Sequence, residues 1–417
     1  MADNKDKKVL NVPALRFPEF TDEWKRIKVS DLLDFYSTNS LSWEQLEYEP
    51  NEPYNLHYGL IHVGLPTLID LTKDKLPSIK NGNVPKKYEL CKEGDVAFAD
   101  ASEDTNEVAK VVEFYNLGGK KVVCGLHTIH GRNNNGQTAK GFLGYCFSST
   151  VFHNQIRRIA QGTKIYSINT RNFSEVFVGL PRRREQQKIA TLLRLIDERI
   201  ATQNKIIEDL KKLKSAISKH LFARKDLLET TICLSNIATL KNGYAFQSGK
   251  YNALGKWKIL TITNVPGERY INDEDCNCII NLPNDIQDHQ VLKEGDILIS
   301  LTGNVGRVSL CKNGDYLLNQ RVGLLQLAKN VNQEFLYQIL SSQRFENSMI
   351  ACGQGAAQMN IGKGDVESYV LPYSSNGNNI LFAAKILHSY DECIINEMRR
   401  LTLLTMQKQY LLTQMFI

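Results

Sequence analysis

Loops rich in amide and guanidinium side chains are the part of this sequence best suited to specific chemistry. The segment SLTGNVGRVSL at 300–310 places Asn304 and Arg307 in a glycine-rich turn after a predicted strand, and NQRVG and CGQGAAQMNI follow at 319–323 and 352–361. Asn, Gln, Arg and Lys can hydrogen-bond the edges of DNA bases, whereas Lys and Ser contacts to phosphate fix position. The candidate DNA-contacting residues of this half are Asn304, Arg307, Gln320, Arg321, Gln354, Gln358 and Asn360.

Three loops occupy equivalent places in the first half of the chain, at 99–110, 125–140 and 161–168. Glu103 and Asp104 could accept a hydrogen bond from a cytosine amino group, but acidic loops usually avoid DNA. The better candidates are His127, Arg132, Lys164 and Tyr166. For the glycine-rich turn at 300–310, the alternative is a tight hairpin turn whose side chains face solvent.

No catalytic or metal-binding pattern is evident. His127 and His130 have a metal-like spacing, but without a nearby Cys or carboxylate pattern we interpret them as loop histidines with ordinary partners, as we do His57 and His62. The sequence has no Gly-x-x-x-x-Gly-Lys-Ser/Thr loop for ATP, no dinucleotide-binding fingerprint and no nuclease-like carboxylate cluster. We therefore predict a binding protein with no catalytic residue and no metal ligand.

The elements that would position these loops occur twice. Lys-Glu-Gly-Asp at 92–95 returns at 293–296, Ser-Ser at 148–149 returns at 341–342, and Leu-Pro at 180–181 returns at 371–372. The order is kept and only loop lengths change. Two diverged copies in one chain predict a pseudo-two-fold molecule, and B-DNA commonly calls for such symmetry.

Composition places the chain among folded proteins of two or three domains. It has 417 residues, 42% of them hydrophobic and 23% charged, no apolar run of bilayer length and nine cysteines without a C-x-x-C pair. The unpatterned cysteines and the absence of a secretory signal indicate a cytoplasmic protein with reduced thiols.

The basic charge is concentrated in one stretch. The net charge is +6, yet residues 181–225 hold thirteen Lys or Arg against five acids, which is +8. A basic helix fits a nucleic-acid partner, and a solvated helix face is the alternative.

Two kinds of segment alternate along the chain. Short β-rich runs separated by Asn-Gly, Gly-Asp and Pro turns, together with helical segments, predict two mixed α+β domains. Each is followed by a long helix with apolar residues in steps of three and four, which is typical of a coiled coil. The predicted domains are recognition domain 1 at 1–182, spacer helix 1 at 183–225, recognition domain 2 at 226–373 and spacer helix 2 at 374–417.

Connectivity predicts that the two helices run antiparallel, because domain termini usually lie close together. Sixteen residues form the predicted seam: Ile189, Leu193, Ile196, Ile200, Ile207, Leu210, Ile217, Leu221, Ala383, Leu387, Tyr390, Ile394, Leu401, Leu404, Leu411 and Met415. Pairing about the helix midpoint predicts that Lys214 approaches Asp391 and Lys408 approaches Asp197. The alternative is that both lysines extend outward and only their stems cover the seam.

The sequence resembles the specificity subunits of type I restriction-modification systems over nearly its whole length. The opening VPALRFPEFTDEWKRIKVSDLL is similar to the N-terminal entry of such subunits, and LPRRREQQKIATLLRLIDERI followed by NKIIEDLKKLKSAISKHLF is similar to the conserved helix of the family. The second helix departs from this pattern, since it lacks the Glu-Gln-Gln of 185–187.

The resemblance implies a non-catalytic DNA reader. Each globular domain would read one half of a split target in double-stranded DNA, and the helices would set the gap and carry two methyltransferase (M) subunits. Two restriction (R) subunits would complete an ATP-dependent nuclease. S-adenosylmethionine would be held by the M subunits, and ATP and Mg²⁺ by the R subunits, so this chain itself would bind no cofactor. The competing hypotheses are a coiled-coil scaffold that binds proteins only and, more remotely, a self-contained methyltransferase or nuclease.

Overall fold

The structure is a computed structural model that describes residues 11–353 and 359–417. The helices in this part of the chain are α1 Val29–Leu32, α2 Tyr58–His62, α3 Phe142–Phe147, α4 Thr150–Ile159, α5 Thr170–Ser174, α6 Arg183–Ala223, α7 Gln333–Leu340, α8 Gln343–Cys352, α9 Lys363–Glu367 and α10 Gly377–Gln414. The strands are β1 Lys25–Lys28, β2 Asp34–Tyr36, β3 Leu46–Glu47, β4 Tyr54–Leu56, β5 Leu68–Asp70, β6 Ser78–Ile79, β7 Val96–Ala99, β8 Ala101–Ser102, β9 Val111–Asn116, β10 Val122–Cys124, β11 Thr128–Arg132, β12 Tyr166–Ser167, β13 Phe177–Leu180, β14 Thr230–Cys233, β15 Ala238–Asn242, β16 Trp257–Leu260, β17 Asn277–Ile279, β18 Ile297–Ser300, β19 Val308–Leu310, β20 Tyr316–Leu318, β21 Val322–Leu327 and β22 Val370–Tyr373.

The chain divides into two compact units. The first unit contains Met1–Asn204 and Arg400–Ile417, and the second contains Lys205–Arg399. Each unit therefore holds one mixed α/β globular part together with a segment of α6 and a segment of α10. This confirms the α+β class with two domains joined by long helices. The division into two units falls inside the long helices and does not test the four predicted domain boundaries at the helix ends, which stay a prediction.

The first unit is built on two sheets. One has the order β2-β11-β7-β9-β5 and the other β10-β4-β6-β3. A separate antiparallel pair joins β1 to β13, the first and last strands of the globular part. This pair brings the entry and exit of the globular part together directly before α6.

The second unit repeats this plan with fewer strands. Its sheets have the orders β15-β21-β18-β19 and β17-β16-β20, and β14 pairs antiparallel with β22. As in the first unit, the first and last strands of the globular part are hydrogen-bonded neighbours, and the following helix begins after the last one.

The repeated sequence motifs form repeated structures, which confirms the internal duplication. Asp95 and Asp296 each accept a hydrogen bond of 2.8 Å from the backbone N–H three residues earlier. The glycine of each turn has a positive φ, 88° at Gly94 and 89° at Gly295. The paired serines also correspond, because Ser149 and Ser342 are the N-caps of α4 and α8.

In each unit the two long helices pack through the predicted seam. Near the start of α6 in the first unit, Ile189 and Leu193 belong to the same buried core as Leu411 and Met415 from the end of α10. In the second unit, Leu221 shares a core with residues near the start of α10. The helices thus run antiparallel within each unit, and all sixteen predicted seam residues are buried or half-buried.

Both predicted ion pairs across the helices are present. Lys408 Nζ lies 2.6 Å from Asp197 Oδ1 in the first unit, and Lys214 Nζ lies 2.6 Å from Asp391 Oδ1 in the second. Their side chains are 22% exposed or less, so the alternative of outward-extended lysines is wrong. The two pairs fix the helix register independently within each unit.

The two helix starts make different contacts. Glu185 on α6 is buried and accepts hydrogen bonds from Arg16 at 2.7 and 2.8 Å and from Trp24 Nε1 at 3.2 Å. The next residue, Gln186, accepts from the backbone N–H of Ala139 at 2.7 Å. Position 379 of the second copy, which corresponds to Glu185, is a half-buried asparagine that donates to the Leu227 carbonyl at 3.0 Å. The Glu-Gln-Gln sequence is therefore an anchor of the first unit alone.

Many basic residues of 181–225 form ion pairs. Acidic partners lie beside Arg182, Lys188, Arg194, Lys211, Lys212, Lys214 and Arg224. Five of these acidic partners lie outside 181–225 and so offset five of the eight net positive charges. Within residues 11–353 and 359–417, no helix has the length and apolar character needed to cross a membrane.

Candidate nucleic-acid interface

In the second unit, three sequence-distant segments meet at one surface. Leu301 donates its backbone N–H to the Arg321 carbonyl at 3.0 Å and accepts from the Ile361 N–H at 2.9 Å. Gly303 extends this pairing by donating to the Met359 carbonyl at 2.9 Å. Residues 301–307 are therefore held between 319–322 and 359–361.

The first unit forms the equivalent surface. Asp100 donates its backbone N–H to the His127 carbonyl at 3.1 Å and accepts from the Ile168 N–H at 2.9 Å. The strands β8 and β12 then pair, with Tyr166 opposite Ser102. The segments 100–104, 125–128 and 161–168 thus correspond to 301–307, 319–322 and 359–361 of the second unit. We call each set of three segments the three-segment surface of its unit.

Four candidates of the second unit lie exposed on its three-segment surface: Asn304, Gln320, Arg321 and Asn360. Arg307 is half-buried, and its Nε lies 3.5 Å from Glu346 Oε1. Gly303 and Gly306 both have positive φ values, of 73° and 78°. A side chain at Gly306 would clash with Met349, so this glycine is required for packing against α8. The predicted residues Gln354 and Gln358 lie outside the described residues.

Three candidates of the first unit also lie on its three-segment surface. Lys164 is exposed near the tip of a short loop closed by two backbone hydrogen bonds between Gln161 and Ser167. Tyr166 is half-buried on β12. His127 is exposed with φ 53°, and its Nδ1 lies 3.1 Å from Asp100 Oδ1. His127 and Arg321 occupy corresponding positions in the two hydrogen-bonding patterns.

The expected loop positions of Arg132 and His130 are wrong. Both lie on the buried strand β11, where Arg132 contacts Asp95 at 2.8 Å and Glu89 at 2.6 Å. His130 Nε2 also lies 2.7 Å from Asp95. Burial alone would raise the pKa of the Asp95 carboxyl, but hydrogen bonds from His130 and Arg132 bring it below its ordinary value. Arg132 is therefore engaged in a buried ionic network rather than on the three-segment surface.

Aromatic residues beside this surface were missed by sequence reasoning. The rings of Trp43, His57, Tyr58 and His127 follow one another with centroid separations of 4.4, 4.7 and 5.2 Å. Burial, followed by the neighbouring charge of His127, lowers the pKa of His57 and favours its neutral form. Trp43 is 45% exposed, so its ring is open to a ligand. Only His57 and Tyr58 are neighbours in sequence, so the sequence does not reveal that these four rings lie together.

The arrangement suits recognition by hydrogen bonds. In the second unit, three amides and a guanidinium project from backbone that is fixed by main-chain hydrogen bonds. In the first, the candidates are an imidazole, an ammonium and a phenol beside a partly open indole. Such groups can donate to phosphate oxygens and base edges, and aromatic rings can stack on bases.

Comparison with known proteins gives a family match for part of the chain. Residues 229–406 match the family model described as the type I restriction modification DNA specificity domain. This segment begins next to β14, includes the three-segment surface of the second unit and ends within α10. The second half of this chain is thus similar to the DNA specificity domain of type I restriction-modification systems.

Two relatives come from Methanocaldococcus jannaschii. The chain is 29% identical over 213 residues to the type I restriction enzyme MjaVIII specificity subunit, a match that covers 45% of this chain and 49% of that protein. It is 24% identical over 371 residues to the putative type I restriction enzyme MjaX specificity subunit, covering 85% of this chain and 84% of that protein. The match to MjaVIII thus spans about half the length of that relative.

Solved structures of such subunits share the fold. The type I restriction-modification S subunit from M. genitalium has a TM-score of 0.57 at 17% identity, covering 97% of this chain and 99% of that one. A chain from a structure of type I restriction-modification complex assembly and conformational transition has a TM-score of 0.57 at 15% identity, covering 93% and 96%. At these identities the likeness shows a shared fold and not shared individual contacts.

Proposed function

We propose that this chain is the DNA-reading subunit of a type I restriction-modification complex and that each three-segment surface reads one half of a split target. The observation that carries the proposal is the repetition of the surface. The same backbone hydrogen bonds present His127 in one unit and Arg321 in the other. A shared frame with different side chains is what a reader of two different half-sequences requires.

The chemistry of the two surfaces supports distinct half-sequences. Arg321 and the amides of Gln320 and Asn360 suit purine edges, because guanidinium pairs with guanine and amides pair with adenine. The first unit offers His127 and Lys164 with neighbouring aromatic rings. We therefore assign phosphate contacts and base stacking to the first unit, rather than bidentate hydrogen bonds to base edges.

The proposal assigns no catalytic step to this chain. Methylation would be carried out by two M subunits that hold S-adenosylmethionine, and cleavage by two R subunits that use ATP and Mg²⁺, all in the cytoplasm. Exposed apolar side chains on the long helices support a protein partner. In the first unit these are Leu195, Leu403, Met406 and Tyr410, all at least half exposed. Their burial by an M subunit would remove apolar surface from water.

A map of N6-methyladenine tests the proposal. Cells carrying the cognate M subunit would be compared with and without this chain. We expect a split motif, consisting of two short blocks around a fixed gap, only when the chain is present. A stable complex with the M subunit without new methylation would contradict the assignment of DNA reading. Failure to form that complex, with other proteins bound to the helices, would favour the scaffold hypothesis.

A further inference from the structure

Two cysteines and a histidine of the first unit converge in its interior. Cys91, Cys124 and His130 are all buried, and one ligand atom from each lies within 4.8 Å of the others. The two Sγ atoms are 3.5 Å apart. Cys124 lies on β10 and His130 on β11, whereas Cys91 lies in the segment before β7. The cluster is therefore not visible as a local sequence motif.

The hydrogen bond to Asp95 leaves the other ring nitrogen of His130 available to a ligand. His130 Nε2 lies 2.7 Å from the Asp95 carboxylate, and the Asp95 side chain is itself held by Arg132 and by the Lys92 backbone N–H. When Nε2 donates its proton to this carboxylate, the lone pair of the neutral ring is on Nδ1. Nδ1 is buried and has no hydrogen-bond partner. A buried polar atom without a partner is costly, and a metal ion would satisfy it.

The second unit shows that the fold does not need these side chains. The Cys91 N–H bonds the Val122 carbonyl at 2.8 Å, and the Leu292 N–H bonds the Tyr316 carbonyl at 2.9 Å, so the two positions correspond. By the same comparison of strand partners, Leu318 corresponds to Cys124, and Leu324 corresponds to His130.

These three leucines lie together in one hydrophobic core of the second unit. Where one copy of the fold packs three aliphatic side chains, the other places two thiols and an imidazole. The aspartate of the repeated turn is kept in both copies, as Asp95 and Asp296. Only in the first copy does it have a histidine to orient.

We propose that Cys91, Cys124 and His130 bind a zinc ion, with Asp95 as the residue that orients the histidine. Zinc–sulfur bonds of about 2.3 Å at a tetrahedral ion place two thiolates about 3.8 Å apart, close to the separation seen here. A disulfide would require the two Sγ atoms to approach to about 2.05 Å. The carboxylate–histidine–metal arrangement is the usual support for a zinc ligand.

Charge also balances in the zinc-bound site. Two thiolates neutralise the ion, and Arg132 neutralises Asp95, so the buried group carries no net charge. Three protein ligands leave the fourth position of the ion to a water molecule. The site is internal to the first unit, and the proposal stands whether or not the chain reads DNA.

The experiment is a metal-binding measurement on the full chain, purified under reducing conditions. Zinc content would be measured directly, and cobalt(II) would be titrated as a spectroscopic probe. We expect one equivalent of metal per chain and a thiolate-to-cobalt charge-transfer band that zinc abolishes. Cys91→Leu and Cys124→Leu, which introduce the residues of the second copy, should remove the band. Asp95→Asn should weaken binding by roughly 10- to 100-fold.

Cys311→Ala is the matched control, because Cys311 is a buried thiol of the second unit outside the cluster. It should bind metal as the wild type does. The proposal is overturned if the folded, reduced wild type takes up no stoichiometric zinc or cobalt. It is equally overturned if the band survives in the double Cys91→Leu, Cys124→Leu variant, or if metal-free chain isolated from cells carries a Cys91–Cys124 disulfide. The wild-type measurement is decisive even if a variant fails to fold.

Discussion

Lys214 Nζ lies 2.6 Å from Asp391 Oδ1, across the two long helices of the second unit. Asp391 is buried, and its other carboxylate oxygen accepts hydrogen bonds from Arg269 at 2.9 Å and Gln338 at 2.6 Å. One carboxylate therefore joins both helices to the globular part of the unit. In the first unit the corresponding Asp197 contacts Lys408 and the hydroxyl of Tyr145 and is more exposed.

Replacing Asp391 by Ala should destabilise the second unit by about 3–5 kcal/mol, because it removes the buried counter-charge of Lys214 and leaves Arg269 with Glu334 alone. Replacing Asp197 by Ala should cost about 1 kcal/mol, since its ion pair is partly solvated. Hydrogen exchange of β18 in the second unit and β7 in the first would measure the two effects separately. Equal losses in the two units would contradict this difference.

The anchor at the start of α6 gives a second prediction. Glu185→Gln should destabilise the first unit by about 3 kcal/mol, because Arg16 would lose its counter-charge in a largely buried site. The control is Asn376→Ala directly before α10, where only an exposed capping hydrogen bond would be lost, at about 1 kcal/mol. Urea denaturation followed by hydrogen exchange would assign each loss to its unit. A larger effect of the Asn376 variant would refute the assignment.

Glu113 predicts a pH dependence of the stability of the first unit. Burial raises its pKa from 4.5 to about 7, although the backbone N–H groups of Gly144 and Gly141 partly oppose this shift. The folded state therefore retains the proton more strongly than the unfolded chain. The stabilisation is full below about pH 4.5 and is lost as the pH rises to about 7.

Glu113→Gln removes this titration. The unfolding free energy of the wild type should fall relative to that of the variant by roughly 3 kcal/mol between pH 4.5 and pH 7. Unfolding in urea at several pH values would measure the difference. Glu103→Gln is the control, because Glu103 is an exposed carboxylate of the same unit. A difference that does not change with pH would show that Glu113 is ionised throughout the range.

The three-segment surfaces predict separable changes in recognition. Arg321→Ala should relax or change one half of the methylated motif, at a cost of about 1–3 kcal/mol for the affected base pair, and leave the other half unchanged. His127→Ala should affect the opposite half. Lys256→Ala removes an exposed charge of the second unit outside the surface and should alter neither half. Genome-wide maps of N6-methyladenine would show the methylated motif of each variant. An unaltered motif in the Arg321 variant would show that Arg321 does not contribute to recognition.

The periodic apolar residues made the long helices predictable. Contacts between residues far apart in sequence were much harder to predict. The heptad positions determine which residues meet across two antiparallel helices, so Lys214–Asp391 and Lys408–Asp197 followed from numbering alone. The repeated Lys-Glu-Gly-Asp turn was also local, since its hydrogen bonds span three residues. Both features follow from the regular geometry of a helix or a short turn, so they can be predicted from the spacing of residues in the sequence.

Arg132 and the metal-ligand candidates depend instead on strand order. Arg132 was placed in a loop because its partner Asp95 is 37 residues away and reaches it only across neighbouring strands. Cys91 and Cys124, separated by 33 residues, are likewise joined by pairing that no local pattern reports. The meeting of three segments at each surface was not predicted either, although most of the residues placed on it were.

The three-segment surfaces are held by main-chain groups, so their framework does not depend on which side chains they display. Residues such as Gln320, Arg321 and Asn360 can change without loss of a buried contact or a backbone hydrogen bond. Mutational drift at these positions would thus alter what is bound long before it threatens folding. A framework of this kind tolerates substitution at the positions it displays, so the two copies can diverge from one another without losing their fold.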